Sequence, residues 1–178
     1  SLNQATIKKL DKSRMLDLLL DFPNQCLAAK AIAANAKILF EKREFSKVVF
    51  AGLGGSAIGA DLVRCFAYFD CKVPILILRE YQLPAYVDGS TLVIVSSYSG
   101  NTEETLSAYA EAREKQATLL AISSGGKLKE QACRDGVTYI GIPQGLPPRS
   151  SLGYLSLIPL CLLARLGLIR DVGAEINQ

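Results

Sequence analysis

Apolar residues along this chain gather in short unbroken runs, and between the runs they recur at helical spacing. Five runs are continuous and rich in β-branched residues or leucine, at 47–51, 73–78, 91–96, 118–122 and 137–141. A strand that is apolar at every position is covered on both faces, so these runs predict a buried parallel sheet of five strands. Helical windows lie at 57–69, 102–115, 127–134 and 151–166. Ahead of the first strand, Met15, Leu16, Leu19 and Leu20 predict a helix over 12–20. Pro23 breaks it or opens the next, expected over 24–42. Alternation of strand and helix gives right-handed crossovers and an α/β fold, with helices on both sides of an open sheet. Ligands of such sheets sit beyond the carboxyl ends of the strands, where the strand order reverses.

With 178 residues, 49% of them hydrophobic, and no linker or low-complexity tract, the chain reads as one well-buried domain. Its 20 basic and 17 acidic residues are interspersed without a basic block, so nucleic acid is not an expected partner. The longest uncharged stretch, 150–164, is broken by Pro159 and falls short of the roughly 20 residues that span a bilayer, so no membrane association is expected. A helix apolar on nearly every side is instead expected to be buried, in part against a second subunit. Charges at Lys8, Lys9, Asp11, Lys12 and Arg14 interrupt any signal-peptide pattern. Five cysteines without CxxC spacing, and no histidine at all, argue against a zinc site and for a reducing, cytoplasmic setting. The start at Ser1 and the polar run 171–178 suggest a cut fragment.

Chemistry concentrates in the loops after the strands. Ser96-Ser97-Tyr98-Ser99-Gly100-Asn101-Thr102 leaves the third strand and enters a helix. Hydroxyls, a glycine and a helix N-terminus at one point make a nest of donors suited to a phosphate, most simply one carried on a sugar. Asn101 is expected to cap that helix, with Glu104 returning a bond in a capping box. Glu103 and Glu104 would repel an anion and are expected to face away from it. After the first strand, Gly52, Gly54 and Ala57 fit a loose dinucleotide pattern, but the acidic residue wanted at the end of the second strand about 20 positions on is matched poorly by Glu80, which lies 28 beyond Gly52 and follows Arg79. The glycines could simply permit a tight turn. Alternatively, Gly54 and Gly55 let the backbone approach a ligand while Ser56 offers its hydroxyl. Residues 123–127 read as a turn. After the fifth strand, the proline-rich segment 143–151 presents Arg149 at the lip of the cleft, unless that arginine is merely solvated.

Three of these segments together resemble the sugar isomerase (SIS) domain: Gly54-Gly55-Ser56, Ser97 through Glu104, and Pro148-Arg149. More narrowly, they resemble the first of the two SIS domains of the bifunctional phosphoglucose/phosphomannose isomerases, over about residues 12–168. The resemblance implies a flavodoxin-like, three-layer α/β/α sandwich, a homodimer, and a reaction without metal or cofactor. Glucose 6-phosphate or mannose 6-phosphate would be interconverted with fructose 6-phosphate through an enediolate. By position, Ser97, Ser99 and Thr102 would hold the phosphate, and Gly54, Gly55 and Ser56 would line the sugar. Arg149 would stabilise the oxyanion that develops in the transition state. The family's proton-transferring glutamate, ring-opening histidine and lysine lie beyond its first domain. A hexose 6-phosphate half-site, inactive alone, is therefore expected. It would comprise N-terminal helices over 1–45, an SIS core over 46–168, and from 169 to 178 the start of a linker to a second SIS domain. A non-catalytic SIS sensor and a dinucleotide-binding domain are the alternatives.

Overall fold

Residues 3–41 and 43–177 are described by a computed structural model, in which the five apolar runs form one sheet. Its strands are β1 (Lys47–Ala51), β2 (Ile75–Leu78), β3 (Thr91–Ser96), β4 (Thr118–Ser123) and β5 (Thr138–Gly141), in the spatial order β2-β1-β3-β4-β5. Every neighbouring pair is parallel, with Val49 opposite both Leu76 and Val93, and Val93 opposite Leu119. The order reverses between β1 and β3, which fixes where a ligand cleft belongs. The helices are α1 (Gln4–Leu10), α2 (Met15–Leu20), α3 (Phe22–Asn35), α4 (Gly55–Phe66), α5 (Glu103–Glu114), α6 (Gly126–Arg134) and α7 (Leu152–Arg165).

The two-residue alternation of the strands divides the apolar side chains between two cores. Val48, Phe50, Leu92, Ile94, Leu120 and Ile122 pack toward α3, α4 and α7, and Val49, Ala51, Val93, Val95, Leu119 and Ala121 toward α5 and α6. The link from β2 to β3 has to pass over β1, and no helix forms along it. Leu83 and Val87 from this link fill the second core instead, and the Leu83 amide donates to the Glu111 carboxylate at 2.6 Å.

Helix α7 takes up the long uncharged stretch, and much of it is buried within this chain. It lies between α3 and α4, with nine of its residues buried there. Pro159 within it has no N–H to offer the Leu155 carbonyl four residues back. Gly59 of α4 faces that carbonyl so closely that a Cβ would lie 2.5 Å from the oxygen. Glycine inside a helix costs about 1 kcal/mol relative to alanine, and this close approach is what requires it here.

The N-terminal helices depart from the expected boundaries. The helix expected over 24–42 stops at Asn35, and Lys42 lies outside the described residues. Arg165 of α7 donates to the carbonyls of Ala33 (3.2 Å), Ala34 (3.4 Å) and Ala36 (2.6 Å), closing the helix from outside. The chain then runs past the feet of the strands, where the Leu39 amide meets the Thr138 hydroxyl at 2.9 Å and Phe45 is buried. The helix expected over 12–20 begins only at Met15, because the Asp11 carboxylate accepts from the amides of Met15 (2.9 Å) and Leu16 (2.8 Å). At the other end, Ile169 and Val172 join the first core, and Lys30 donates to the Gly173 carbonyl at 2.7 Å. Among the described residues no helix is long and apolar enough to cross a membrane, and no three metal-binding side chains cluster.

Candidate functional site

The serine loop leaves β3 at the point of reversal. Ser97 is 2% exposed, and its amide donates to the Ile122 carbonyl at 3.0 Å. Its hydroxyl lies 2.9 Å from that of Thr102 and accepts from the Gly100 amide at 3.1 Å. Only one O–H is used between the two hydroxyls, so the pair keeps another to donate. Ser99 is exposed, and its hydroxyl accepts from the Asn101 amide at 3.2 Å. Helix α5 starts just beyond, with Thr102 at its N-cap and no side chain capping its first amides. Free amides at a helix start, with two hydroxyls beside them, form a neutral cradle for an anion.

Gly100 determines how this loop sits. Its φ of 70° is left-handed, and a Cβ there would lie 1.9 Å from the Gly125 carbonyl oxygen. The β3 and β4 loops therefore touch backbone to backbone. Their contact is sealed by Leu128 N to Gly100 O at 2.9 Å. This geometry overrides the expected capping box. Asn101 turns to the neighbouring helix, where its carboxamide oxygen accepts from the Lys127 amide of α6 at 3.1 Å, and α5 has no side-chain cap. The 123–127 segment is thus more than a turn, since the Ser124 amide and hydroxyl both donate to the Tyr98 carbonyl, at 2.9 and 2.7 Å. Glu103 and Glu104 lie beside Tyr81 of the β2–β3 link, and the negative charge of Glu104, first among the causes, raises that phenol above its ordinary pKa.

Two further turns complete the rim. Gly54 adopts φ 55°, ψ −127°, a conformation essentially reserved for glycine, and stands at the N-cap of α4. A Cβ on Gly52 would lie 2.9 Å from the Ser96 carbonyl oxygen, and one on Gly55 would lie 3.2 Å from that of Pro148. The glycine turn is thereby wedged between β3 and the arginine turn. Ser56 is buried, and no protein group hydrogen-bonds its hydroxyl among the described residues. Arg149 sits in a 3-10 turn, Pro148–Ser150, exposed and with no side-chain hydrogen bond or ion pair among the described residues.

What holds that arginine turn was not visible in the sequence. Gln25 of α3, 5% exposed, donates its carboxamide to the Ser150 carbonyl at 2.8 Å and accepts from the Gly153 amide at 2.7 Å. On the upstream side, the Tyr98 hydroxyl donates to the Pro143 carbonyl at 3.1 Å and accepts from the Leu146 amide at 2.8 Å. A glutamine in an alanine-rich helix looks like a solvated residue, and a tyrosine between two serines gives no spacing signal. A buried body with a polar tip in search of partners was the only hint at Tyr98.

An open parallel sheet with a hydroxyl-lined loop, a glycine turn and an arginine turn above its reversal has the SIS fold of phosphosugar isomerases. Among solved structures, the tagatose-6-phosphate ketose/aldose isomerase of Escherichia coli superposes with a TM-score of 0.61 at 17% identity, over 86% of this chain and 48% of that one. No family model matches the chain.

In sequence, the chain is a homologue of the bifunctional phosphoglucose/phosphomannose isomerases. It is 51% identical over 165 residues to the one from Caldicellulosiruptor bescii, covering 92% of this chain and 48% of the relative. It is 48% identical over 118 residues to the one from Thermoplasma acidophilum, covering 66% of this chain and 36% of the relative. The chain thus spans half or less of the length of these curated relatives.

Proposed function

We propose that this chain is the phosphosugar-binding half of an aldose–ketose isomerase that interconverts glucose 6-phosphate or mannose 6-phosphate with fructose 6-phosphate through an enediolate. The observation that carries this reading is the convergence of the serine loop, the Gly54–Ser56 turn and the unpaired Arg149 at the β1/β3 reversal. Ser97, Ser99, Thr102 and the α5 amides hold the phosphate. Gly54 and Gly55 bring backbone to the sugar, and Ser56 gives it a hydroxyl. Arg149, whose turn is braced before any ligand arrives, meets the charge on the reacting oxygens and favours the transition state over the ground state. The base and the ring-opening acid come from outside this chain, and the chain alone does not turn over. The reaction needs neither metal nor cofactor, and the protein works in the cytoplasm.

A homodimer belongs to the same reading. Ile58, Leu62 and Phe66 are 51%, 47% and 42% exposed and follow one another at four-residue spacing on the outer face of α4, a stripe suited to a second copy.

Thermal unfolding tests the ligand. A ligand at 100 times its Kd adds about 2.7 kcal/mol to the native state, so fructose 6-phosphate at such excess raises Tm clearly while NAD leaves it unchanged. A rise with NAD and none with the phosphosugar refutes the proposal. A coupled assay showing turnover by this chain at ordinary enzyme rates refutes the assignment of proton transfer elsewhere.

A further inference from the structure

We propose that Tyr98 is a positioning residue that ties the serine loop to the upstream arm of the Arg149 turn and so sets the spacing between phosphate anchor and oxyanion partner, with Gln25 fixing the turn's other end. The inference rests on the function proposed above. Tyr98 stands between Ser97 and Ser99 in the chain, so its backbone belongs to the anchor. Its phenol reaches the segment that carries Arg149, donating to the Pro143 carbonyl at 3.1 Å and accepting from the Leu146 amide at 2.8 Å.

Downstream of Arg149 the turn is held by Gln25 at the Ser150 carbonyl, but between Pro143 and Pro148 the segment has little besides the phenol to hold it. Pro143, Pro147 and Pro148 lack an N–H, and Gly145 has a left-handed φ of 87°. The Gln144 carboxamide donates to the Ser124 carbonyl at 2.7 Å, and Ser124 in turn donates its amide and hydroxyl to the Tyr98 carbonyl. Both ties upstream of Arg149 therefore run back to Tyr98, while Gln25 fixes the downstream end. A phenol that donates once and accepts once against two fixed backbone groups sets the position of both, as a single hydrogen bond cannot. Removing its oxygen leaves the ring packed and the anchor intact but loosens the upstream arm that leads to the guanidinium.

The test compares Tyr98→Phe, Arg149→Ala and the double variant, using two probes in calorimetric titrations. Inorganic phosphate reads the anchor alone. 5-Phospho-D-arabinonate, whose carboxylate mimics the enediolate, reads anchor and arginine together. In Tyr98→Phe, phosphate affinity stays within about twofold of the unaltered protein and arabinonate affinity falls about 5- to 20-fold, a coupling expected for residues joined through one segment. The double variant binds arabinonate no more weakly than Arg149→Ala, and the Leu146 amide exchanges with solvent faster in Tyr98→Phe than in the unaltered protein. Gln144→Ala, which cuts the lesser tie and leaves the phenol, shows a smaller loss in the same direction and stands in if Tyr98→Phe does not fold. Equal weakening of both probes, no weakening of either, additivity with Arg149→Ala, or unchanged exchange at Leu146 overturns the inference while leaving the proposed function in place. An unaltered protein that binds neither probe overturns the proposed function, and the inference with it.

Discussion

The contact between the serine loop and the β4–α6 loop can be tested by adding a single methyl group. Gly100 and Gly136 have nearly the same left-handed backbone, φ 70° and 67°, but different surroundings. A Cβ at Gly136 meets nothing within 4 Å, whereas one at Gly100 meets the Gly125 oxygen at 1.9 Å. Gly136→Ala therefore isolates the left-handed penalty, about 1 kcal/mol after allowance for the stiffer unfolded chain. Gly100→Ala bears the same penalty and also forces two backbones apart, about 1–3 kcal/mol for overpacking. The Leu128–Gly100 bond is strained in the process, which adds about 1 kcal/mol more. At about 2–4 °C per kcal/mol for a chain of this size, Gly136→Ala lowers Tm by about 2–4 °C and Gly100→Ala, at about 3–5 kcal/mol in all, by about 6–20 °C. Circular dichroism melts measure both, and repeating them with fructose 6-phosphate adds a second contrast. The ligand-induced rise is kept in Gly136→Ala and lost in Gly100→Ala. Two variants within 1 kcal/mol of each other would show that the loops are not in backbone contact.

Two further expectations concern charge and burial. Tyr109 is 2% exposed and donates to Asp135 at 3.0 Å, so Tyr109→Phe destabilises by about 1–2 kcal/mol, seen as a lower urea midpoint at unchanged slope. Burial, and then Asp135, push that phenol above its ordinary value, so its contribution is complete below about pH 10 and is lost as pH rises beyond it; the variant lacks this alkaline decline. Asp88 accepts from the Ser90 hydroxyl (2.7 Å) and amide (3.0 Å) and from Thr91, and these bonds, the Ser90 hydroxyl first, hold its carboxyl down at about 2. A depressed carboxyl stabilises above its unfolded value and loses that contribution as pH falls toward 2. Asp88→Asn should therefore flatten the urea midpoint's dependence on pH in that window, and an unchanged acid limb would contradict the assignment.

The strands were legible because each is covered on both faces, so every position carries the apolar signal. Their starts were less so: the run beginning at Val73 enters the ladder only at Ile75, because hydrophobicity continues past the last backbone pair. The end of α3 could not be read locally, since the group that closes it, Arg165, lies far away in sequence. Asn101 and Glu104 had the spacing of a capping box, yet a left-handed Gly100 aimed the asparagine at α6, so a tertiary contact displaced a local motif. The serine loop, the glycine turn and Arg149 announced themselves by residue type. Gln25 and Tyr98, which hold the arginine turn, act through geometry assembled by three separate elements, and no window of sequence contains that.

Helix α7 also bears on the order in which the protein can be made. The sheet face that it covers is complete in strands once β5 is synthesised, and α3 and α4 are made well before that. These two helices meet across α7, which is translated after all of them. Until about residue 165 has left the ribosome, Leu92, Ile94, Leu120 and Ile122 have no lid between α3 and α4. The opposite face, closed by α5 and α6 as each emerges next to its own strands, has no such delay. A nascent chain of this protein therefore carries one finished side and one adhesive side, and the interval between them is when it depends most on being shielded from its neighbours.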